Sequence, residues 1–500
     1  MHHILRGPVT TALVLALGAS LSGAAVTGGD PAANGNTDAA TPPSHTTAPP
    51  VSPASGTFTK RVVATGLNDP YEIVRAPDGA LWVTEKTGKK VTRVDPKTGV
   101  KTTLLSLPEA VHSEGGQDGV LGLALEEHES GALYAYVAYS YDIDSTPGVQ
   151  ARTKIERYTY DAGRQRLHSP KAVIAGMPSG NDHQSARLRL GPDGKLYYTI
   201  GDQGVNQFGS TCRPSYTMRL PTAHEVEGLD WIAYQGKTLR LDTDGSIPSD
   251  NPVLDGVRSH VYTYGHRNAQ GLAFGPDGTL YSNEQGPKTD DEINILTKGT
   301  NYGWPNVSGY RDDKAYVYAN WSASWPTPCD ELTFSNFEIP ATVPVQEESD
   351  FARPFMDPIH TFGTVGSDFR FQNPTCAQGE MWSVCWPTIA PSSFEHYGTS
   401  RKSAGATGEG LPGWNDSLVM TTLKDGTVYR VDLTPDGRDV SNVTKLITEE
   451  NRFRDTEFSA DGRSLFAATD SAGPVRDQRG APSTDPLENP GAIIEYRWES

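Results

Sequence analysis

Cysteine is scarce, with four residues in a chain of 500, and none of them forms Cys-x-x-Cys, so the sequence offers no zinc ribbon and no dithiol redox centre. Helical periodicity is missing as well. No segment repeats apolar residues at i, i+3, i+4 and i+7, which argues against a helical scaffold. The apolar run from Val9 to Leu21 is too short to span a bilayer. Positive charge is in deficit, with 43 Lys and Arg against 61 Asp and Glu for a net charge of -18. A binder of nucleic-acid phosphates would need basic patches, so that class is excluded, and the acidity reads as solubility outside the cell.

The N-terminal region has a basic Arg6, the apolar run and then Ser22-Gly23-Ala24, the pattern of a secretory signal peptide over residues 1–24. Residues 25–56, rich in Ala, Thr, Pro and Ser, read as a disordered linker. Residues 57–500 remain as one large domain in a secreted or periplasmic protein. Four cysteines suit such an oxidising compartment. They allow three pairings, and the local one, Cys376 with Cys385 across TCAQGEMWSVC, leaves Cys212 with Cys329.

Glycine (51) and proline (37) are plentiful, and many of them fall in a repeated turn. The copies read APDGALWVTE from Ala76, GPDGKLYYTIGD from Gly191, GPDGTLYSNEQG from Gly275 and SADGRSLFAATD from Ser459, with a looser KDGTVYRVDL from Lys424. Asp-Gly between two β-prone runs marks a hairpin, because glycine supplies the positive φ of a tight turn. Hairpins repeated along a chain without helices predict an all-β fold, a six-bladed β-propeller of four-stranded antiparallel sheets. A pair of β-sandwiches is the competing architecture; it does not explain why the turn repeats with similar flanks.

Chemistry concentrates just before and after these hairpins. The adjacent Asp182 and His183 precede the second copy, and a carboxylate beside an imidazole is a common way to orient a general base. GGQDGVLG holds Gln117; GDQGVNQF holds Gln203 and Gln207; GHRNAQGLAF holds Arg267, Asn268 and Gln270; and SNEQGPKTDDEINIL holds Gln285, Gly286 and Pro287 beside Asp290, Asp291 and Glu292. Later come Trp386 and Thr388 in CWPTIAPSS, Lys424, and Arg452 and Arg454 in NRFRD. Propeller loops converge on one end of the central channel, so these distant residues can surround one small molecule.

From about Phe58 to Tyr496 the blocks DGVLGLA, NDHQSARL, YYTIGDQG, GKTLRLDTDGSIPSDNP, GHRNAQGLAF, NEQGPKTDDEIN, NYGWPNVSGY, CWPTIAPSS and LENPG resemble, in order, the soluble pyrroloquinoline quinone (PQQ) dependent enzymes of the glucose/sorbosone dehydrogenase family. The resemblance implies PQQ and calcium as cofactors, oxidation of an aldose at C1 to its lactone, and an external electron acceptor. By matching position, His183 is the base for the C1 hydroxyl while hydride passes to PQQ, Asp182 orients the imidazole, and Arg267 polarises the quinone oxygen. Gln117, Gln207 and Trp386 contact sugar. Gln117, Arg267, Asn268, Gln285, Gly286, Thr388, Lys424, Arg452 and Arg454 contact the cofactor, the cations serving its three carboxylates. The carbonyls of Gly286 and Pro287 hold the catalytic calcium. Ser308, Tyr310 and Asp312 hold a further calcium at a homodimer interface. Asp290, Asp291 and Glu292 are expected to stabilise their loop or to be solvated.

Three departures bear on the substrate. Ser383 stands where a sugar-facing tyrosine is expected, Phe208 replaces a smaller aliphatic, and Cys212 and Cys329 suggest an extra disulfide pinning insertions from Ser210 to Tyr234 and Asn320 to Pro354. Two other functions fit a propeller. A metal-dependent lactonase needs carboxylate and Asn side chains around one ion, and a non-catalytic carbohydrate-binding propeller needs no cationic set.

Overall fold

The computed structural model describes residues 57–499 apart from 145, 147, 336, 373–382, 398–410, 412 and 415. The expected signal peptide and linker, and Cys376 with its pairing to Cys385, lie outside the described residues. Among these, six four-stranded antiparallel sheets follow one another in chain order. The inner strands are Pro70–Arg75, Val120–Glu127, Ser185–Leu190, Ala269–Phe274, Pro391–Tyr397 and Phe453–Phe458. Each packs beside the next and the sixth beside the first, closing a ring. Ring closure is non-covalent: Thr57–Ala64 supplies the outer strand of the sixth blade, with Phe58 opposite Trp498 and Lys60 opposite Tyr496.

Burial follows position in the blade. Second strands such as Leu81–Glu85 and Leu196–Ile200 are buried at every residue, because neighbouring blades cover both faces. In the outer strand Val440–Thr448 only Ile447 is buried. Large aromatics fill the space between blades, as where Tyr71, Tyr136, Tyr198, Trp231 and Tyr234 share one apolar cluster. The one α-helix among the described residues, Ala223–Glu227, is a single turn with a Thr222 capping box inside an insertion.

The four closest copies of the repeated turn all join an inner strand to its second strand. In each, the aspartate accepts a hydrogen bond from the peptide N–H two residues on, as Asp78 does from Ala80 and Asp277 from Thr279, and the glycine has positive φ, from 67° at Gly462 to 86° at Gly278. The looser copy at Lys424 joins second and third strands, so it lies at the other end of its blade.

A second repeated feature had no sequence signal. In every blade the pairing of inner and second strands slips near the start of the inner strand, between Pro70 and Ile73, Val120 and Leu123, Ser185 and Leu188, Ala269 and Gly271, Pro391 and Ser393, and Phe453 and Asp455. Such bulges take a residue out of the ladder and re-aim it. The freed carbonyls of Gln270 and Ser392 accept from Nε and Nη2 of Arg187, at 2.8 Å each, while its Nη1 donates to Asp455 at 2.9 Å. Glu72 is 3.4 Å from the same nitrogen. One fully enclosed guanidinium in the third blade thus ties four other blades together across the axis.

Candidate active site

The end of the propeller opposite the four Asp-Gly turns carries the polar clusters, and its organisation repeats from blade to blade. An acidic residue stands at or just beyond the end of the second strand of four blades: Glu85, Asp202, Glu284 and Asp470. Each receives hydrogen bonds from the segment that enters the inner strand of the same blade. Glu85 accepts from the Asn68 peptide N–H at 2.8 Å. Glu284 accepts from the peptide N–H groups of Arg267 and Asn268 and, at 2.9 Å, pairs with His266 Nδ1. Asp470 takes Arg454 Nε and Nη2 at 2.8 Å each and Arg452 Nε at 3.2 Å.

Asp202 holds His183. Its Oδ1 lies 2.7 Å from His183 Nδ1 and also accepts from Gly204 N at 2.8 Å, while its Oδ2 accepts from the Trp304 indole at 2.8 Å. An ionised carboxylate can only accept, so Nδ1 carries the proton and Nε2 presents its lone pair. The Gln207 amide nitrogen approaches that lone pair at 3.2 Å. His183 itself sits at φ 41°, a left-handed conformation uncommon for a residue other than glycine. The imidazole is therefore buried, held in one tautomer, and aimed with its basic nitrogen toward Gln207.

Asp182, expected to orient the imidazole, does not do so. It stands on the opposite side, with Oδ1 3.6 Å from Nε2, and accepts from His183 N at 2.9 Å and Gln117 Nε2 at 2.8 Å. Burial alone would raise the Asp182 carboxyl, but the charge of His183 when protonated and the Arg267 guanidinium outweigh it, so the shift is downward. The position beside the base is thus anionic and linked to both predicted sugar-contacting amides, Gln117 and Gln207.

Arg267 reaches the same space. Its Nη1 donates to the Gln285 carbonyl at 3.0 Å and its guanidinium lies 5.4 Å from the Trp304 ring, yet its buried Nε has no acceptor. Asn268 donates to Gln285 at 3.1 Å and accepts from Gln270 at 2.7 Å. Lys424 Nζ donates to the Thr388 hydroxyl and to the carbonyls of Ser383 at 3.1 Å and Trp386 at 3.4 Å; burial pulls its ammonium below the ordinary lysine range. Arg476, which the sequence reading passed over, locks that loop by donating to the carbonyls of Val384, Trp386 and Thr388 and to Asp425. Trp386 thus meets the cations through its carbonyl, and its ring sits edge-on to Phe371 at 6.5 Å.

These residues fit a flat polyanion. Arg452 and Arg454 share one bonded carboxylate, Lys424 is bonded to neutral oxygens, and Arg267 holds an unsatisfied donor, so the rim has cationic and donor capacity that the protein does not consume.

Fit to calcium rests on main-chain oxygens, since among the described residues no group of three His, Cys, Asp or Glu is placed to hold an ion. Gly286 sits in a tight fold where a Cβ would lie 2.1 Å from the Thr289 carbonyl oxygen. Asp291 braces it, accepting from Gly286 N at 2.9 Å and from the peptide N–H groups of Ile389 and Ala390. Asp290, Asp291 and Glu292 are buried rather than solvated; they stabilise loops, Glu292 accepting from Gly309 N at 2.6 Å. Glu348 gathers the peptide N–H groups of Ser308, Asp312 and Asp313, and burial pushes its carboxyl up to about 7. Tyr310 is exposed, and Asp312 pairs with Lys314 at 2.8 Å.

A propeller whose hub joins an oriented imidazole to a cationic rim defines a class of small-molecule enzymes, and the comparisons agree. The glucose/sorbosone dehydrogenase family profile matches residues 67–323. The chain is 41% identical over 450 residues to quinoprotein glucose dehydrogenase B of Acinetobacter calcoaceticus, across 89% of this chain and 92% of that protein. It is 28% identical over 274 residues to the aldose sugar dehydrogenase YliI of Escherichia coli K12, across 52% and 67%. The structure matches the PQQ-bound aldose sugar dehydrogenase of Streptomyces coelicolor at 26% identity with a TM-score of 0.56, covering 89% of this chain and 99% of that one. The chain belongs to the glucose/sorbosone dehydrogenase family.

Proposed function

We propose that the protein is a secreted quinoprotein sugar dehydrogenase that oxidises an aldose at C1 to its lactone and passes electrons to an external acceptor. The observation that carries this is the His183 Nε2 lone pair, fixed by Asp202 and facing the Gln117, Asp182 and Gln207 cluster beside the cationic rim. Bound PQQ, with calcium as Lewis acid, supplies the two-electron acceptor for the C1 hydride. His183 takes the C1 hydroxyl proton, and Asp202 stabilises the imidazolium that forms. Gln117 and Gln207 orient the sugar, and the buried Arg267 guanidinium stabilises negative charge developing near it. Lys424, Arg452 and Arg454 would hold cofactor carboxylates, with Asn268, Gln285 and Thr388 adding neutral hydrogen bonds. The Gly286 and Pro287 carbonyls would hold the catalytic calcium, and Ser308, Tyr310 and Asp312 a calcium between two copies of the chain.

Export through a signal peptide over residues 1–24 and a linker over 25–56 agrees with the Cys212–Cys329 disulfide, whose Cα atoms are 5.5 Å apart. Among the described residues no helix is long and apolar enough to cross a membrane. The test is a panel of aldoses on protein loaded with PQQ and calcium. Sugar-dependent dye reduction is expected, abolished by chelator and restored by calcium. No reduction with any aldose would overturn the proposal in favour of a lactonase or a carbohydrate-binding propeller.

A further inference from the structure

Two insertions that lie apart in sequence meet beside Gln207. Residues 318–346 carry a small core of their own, with Trp321, Cys329 and Val343 buried against Leu332, Phe334 and Ile339, and a two-stranded ribbon pairing Tyr318 with Gln346. This unit is joined to the loop after Asp202 in three ways. Cys212 is bonded to Cys329. The Asn206 side chain donates to the Ala319 carbonyl at 2.6 Å and accepts from Ser322 N at 3.1 Å, bridging the loops as a strand would. The Phe208 ring meets Phe334 with centroids 4.9 Å apart. Gln207, between Asn206 and Phe208, is the residue whose amide faces His183 Nε2.

We infer that the disulfide-braced insertion 318–346 is a specificity element that positions Gln207, with Asn206 as its positioning residue. A substrate hydroxyl reaching His183 Nε2 enters beside the Gln207 amide, which lies 3.2 Å from that nitrogen, so how firmly the amide is held sets how well sugar binds. The proton transfer, organised by Asp202 from within its own blade, is left intact. Holding a binding group in place beforehand lowers the ordering entropy lost on binding. The cleft between insertion and site, lined by Gln207, Trp304, Trp321 and Phe334, places this control at the substrate mouth.

This rests on the proposed dehydrogenase reading, and the experiment separates the two. Full-length protein loaded with PQQ and calcium is compared with its disulfide-reduced form, with Cys212→Ser/Cys329→Ser, and with Asn206→Ala, which keeps the disulfide and guards against misfolding of the double variant. KM for the preferred aldose is expected to rise about tenfold with kcat within about twofold, a split that loss of stability alone does not produce. Hydrogen exchange at the amides of Ser210 and Thr211, bonded to the Gln207 and Phe208 carbonyls, is expected to quicken about tenfold. Unchanged KM in all three forms overturns the inference, whatever the exchange. If no aldose is oxidised, the dehydrogenase reading falls and exchange alone judges the clamp: faster exchange supports it, and unchanged exchange overturns it.

Discussion

The channel floor and the site above it use the same residue type in opposite conditions. Arg187, deep on the axis, has an acceptor for each of its three guanidinium nitrogens, drawn from three blades other than its own. Arg267, where the chain enters the inner strand of the next blade, leaves Nε buried and unpaired. An unpaired buried donor costs about 1–3 kcal/mol, and a ligand that brings an acceptor recovers it. The saturated guanidinium of Arg187 therefore ties blades together, while Arg267 keeps a donor open to an acceptor from outside.

Several measurements would break or sharpen this contrast. Arg187→Met leaves Asp455 buried without its cation and Glu72 with Arg189 alone, and is expected to cost about 3–5 kcal/mol in denaturant unfolding. A loss below about 1 kcal/mol would mean the floor does not hold the blades. On the site side, His183→Ala should lower turnover about 100-fold or more while PQQ affinity hardly changes; full turnover in this variant would remove His183 from the chemistry. Asp202→Asn, which takes the carboxylate from Nδ1, should cost about 10- to 100-fold in turnover with little change in KM, measured by steady-state kinetics. The smallest effect belongs to the rim. Burial would raise the Asp470 carboxyl, but Arg454 and Arg452 outweigh it and hold it at about 2. A carboxyl with a depressed folded-state value contributes stability above its unfolded value of about 4, here about 2 kcal/mol, and that contribution fades as pH falls toward 2. Acid unfolding of Asp470→Asn should lack this component of the slope.

Much of the fold is legible because turn chemistry is local. Asp-Gly with its side-chain-to-peptide bond specifies each hairpin within four residues, and the structure places all four close copies where inner and second strands join. The looser copy at Lys424 shows the limit, since the same dipeptide serves the opposite end of a blade. The structure brings many of the expected hub residues together, but their pairings were not legible in the sequence. Every close copy of the repeat carries an acid at or near its end, Glu85, Asp202, Glu284 or Asp470, a signal present in the sequence that could have marked these positions. Its meaning depends on the bulged register that brings the acid back to the entering segment, and so adjacency in sequence points to Asp182 where the structure sets Asp202, 19 residues away, against Nδ1. Glu348, Arg476 and the axial Arg187 were missed for the same reason: their partners are far along the chain.

The residue order alone determined the all-β character and the hairpin positions, because strand alternation and turn propensity act over a few neighbours. Which carboxylate holds the imidazole, which arginine is spent on the axis and which keeps a free donor, and how two insertions meet at Gln207 were decided only when six blades closed into a ring. Electrostatic and hydrogen-bond partnership is set by distance in space and by exclusion of water, and neither exists for these groups until the ring has formed.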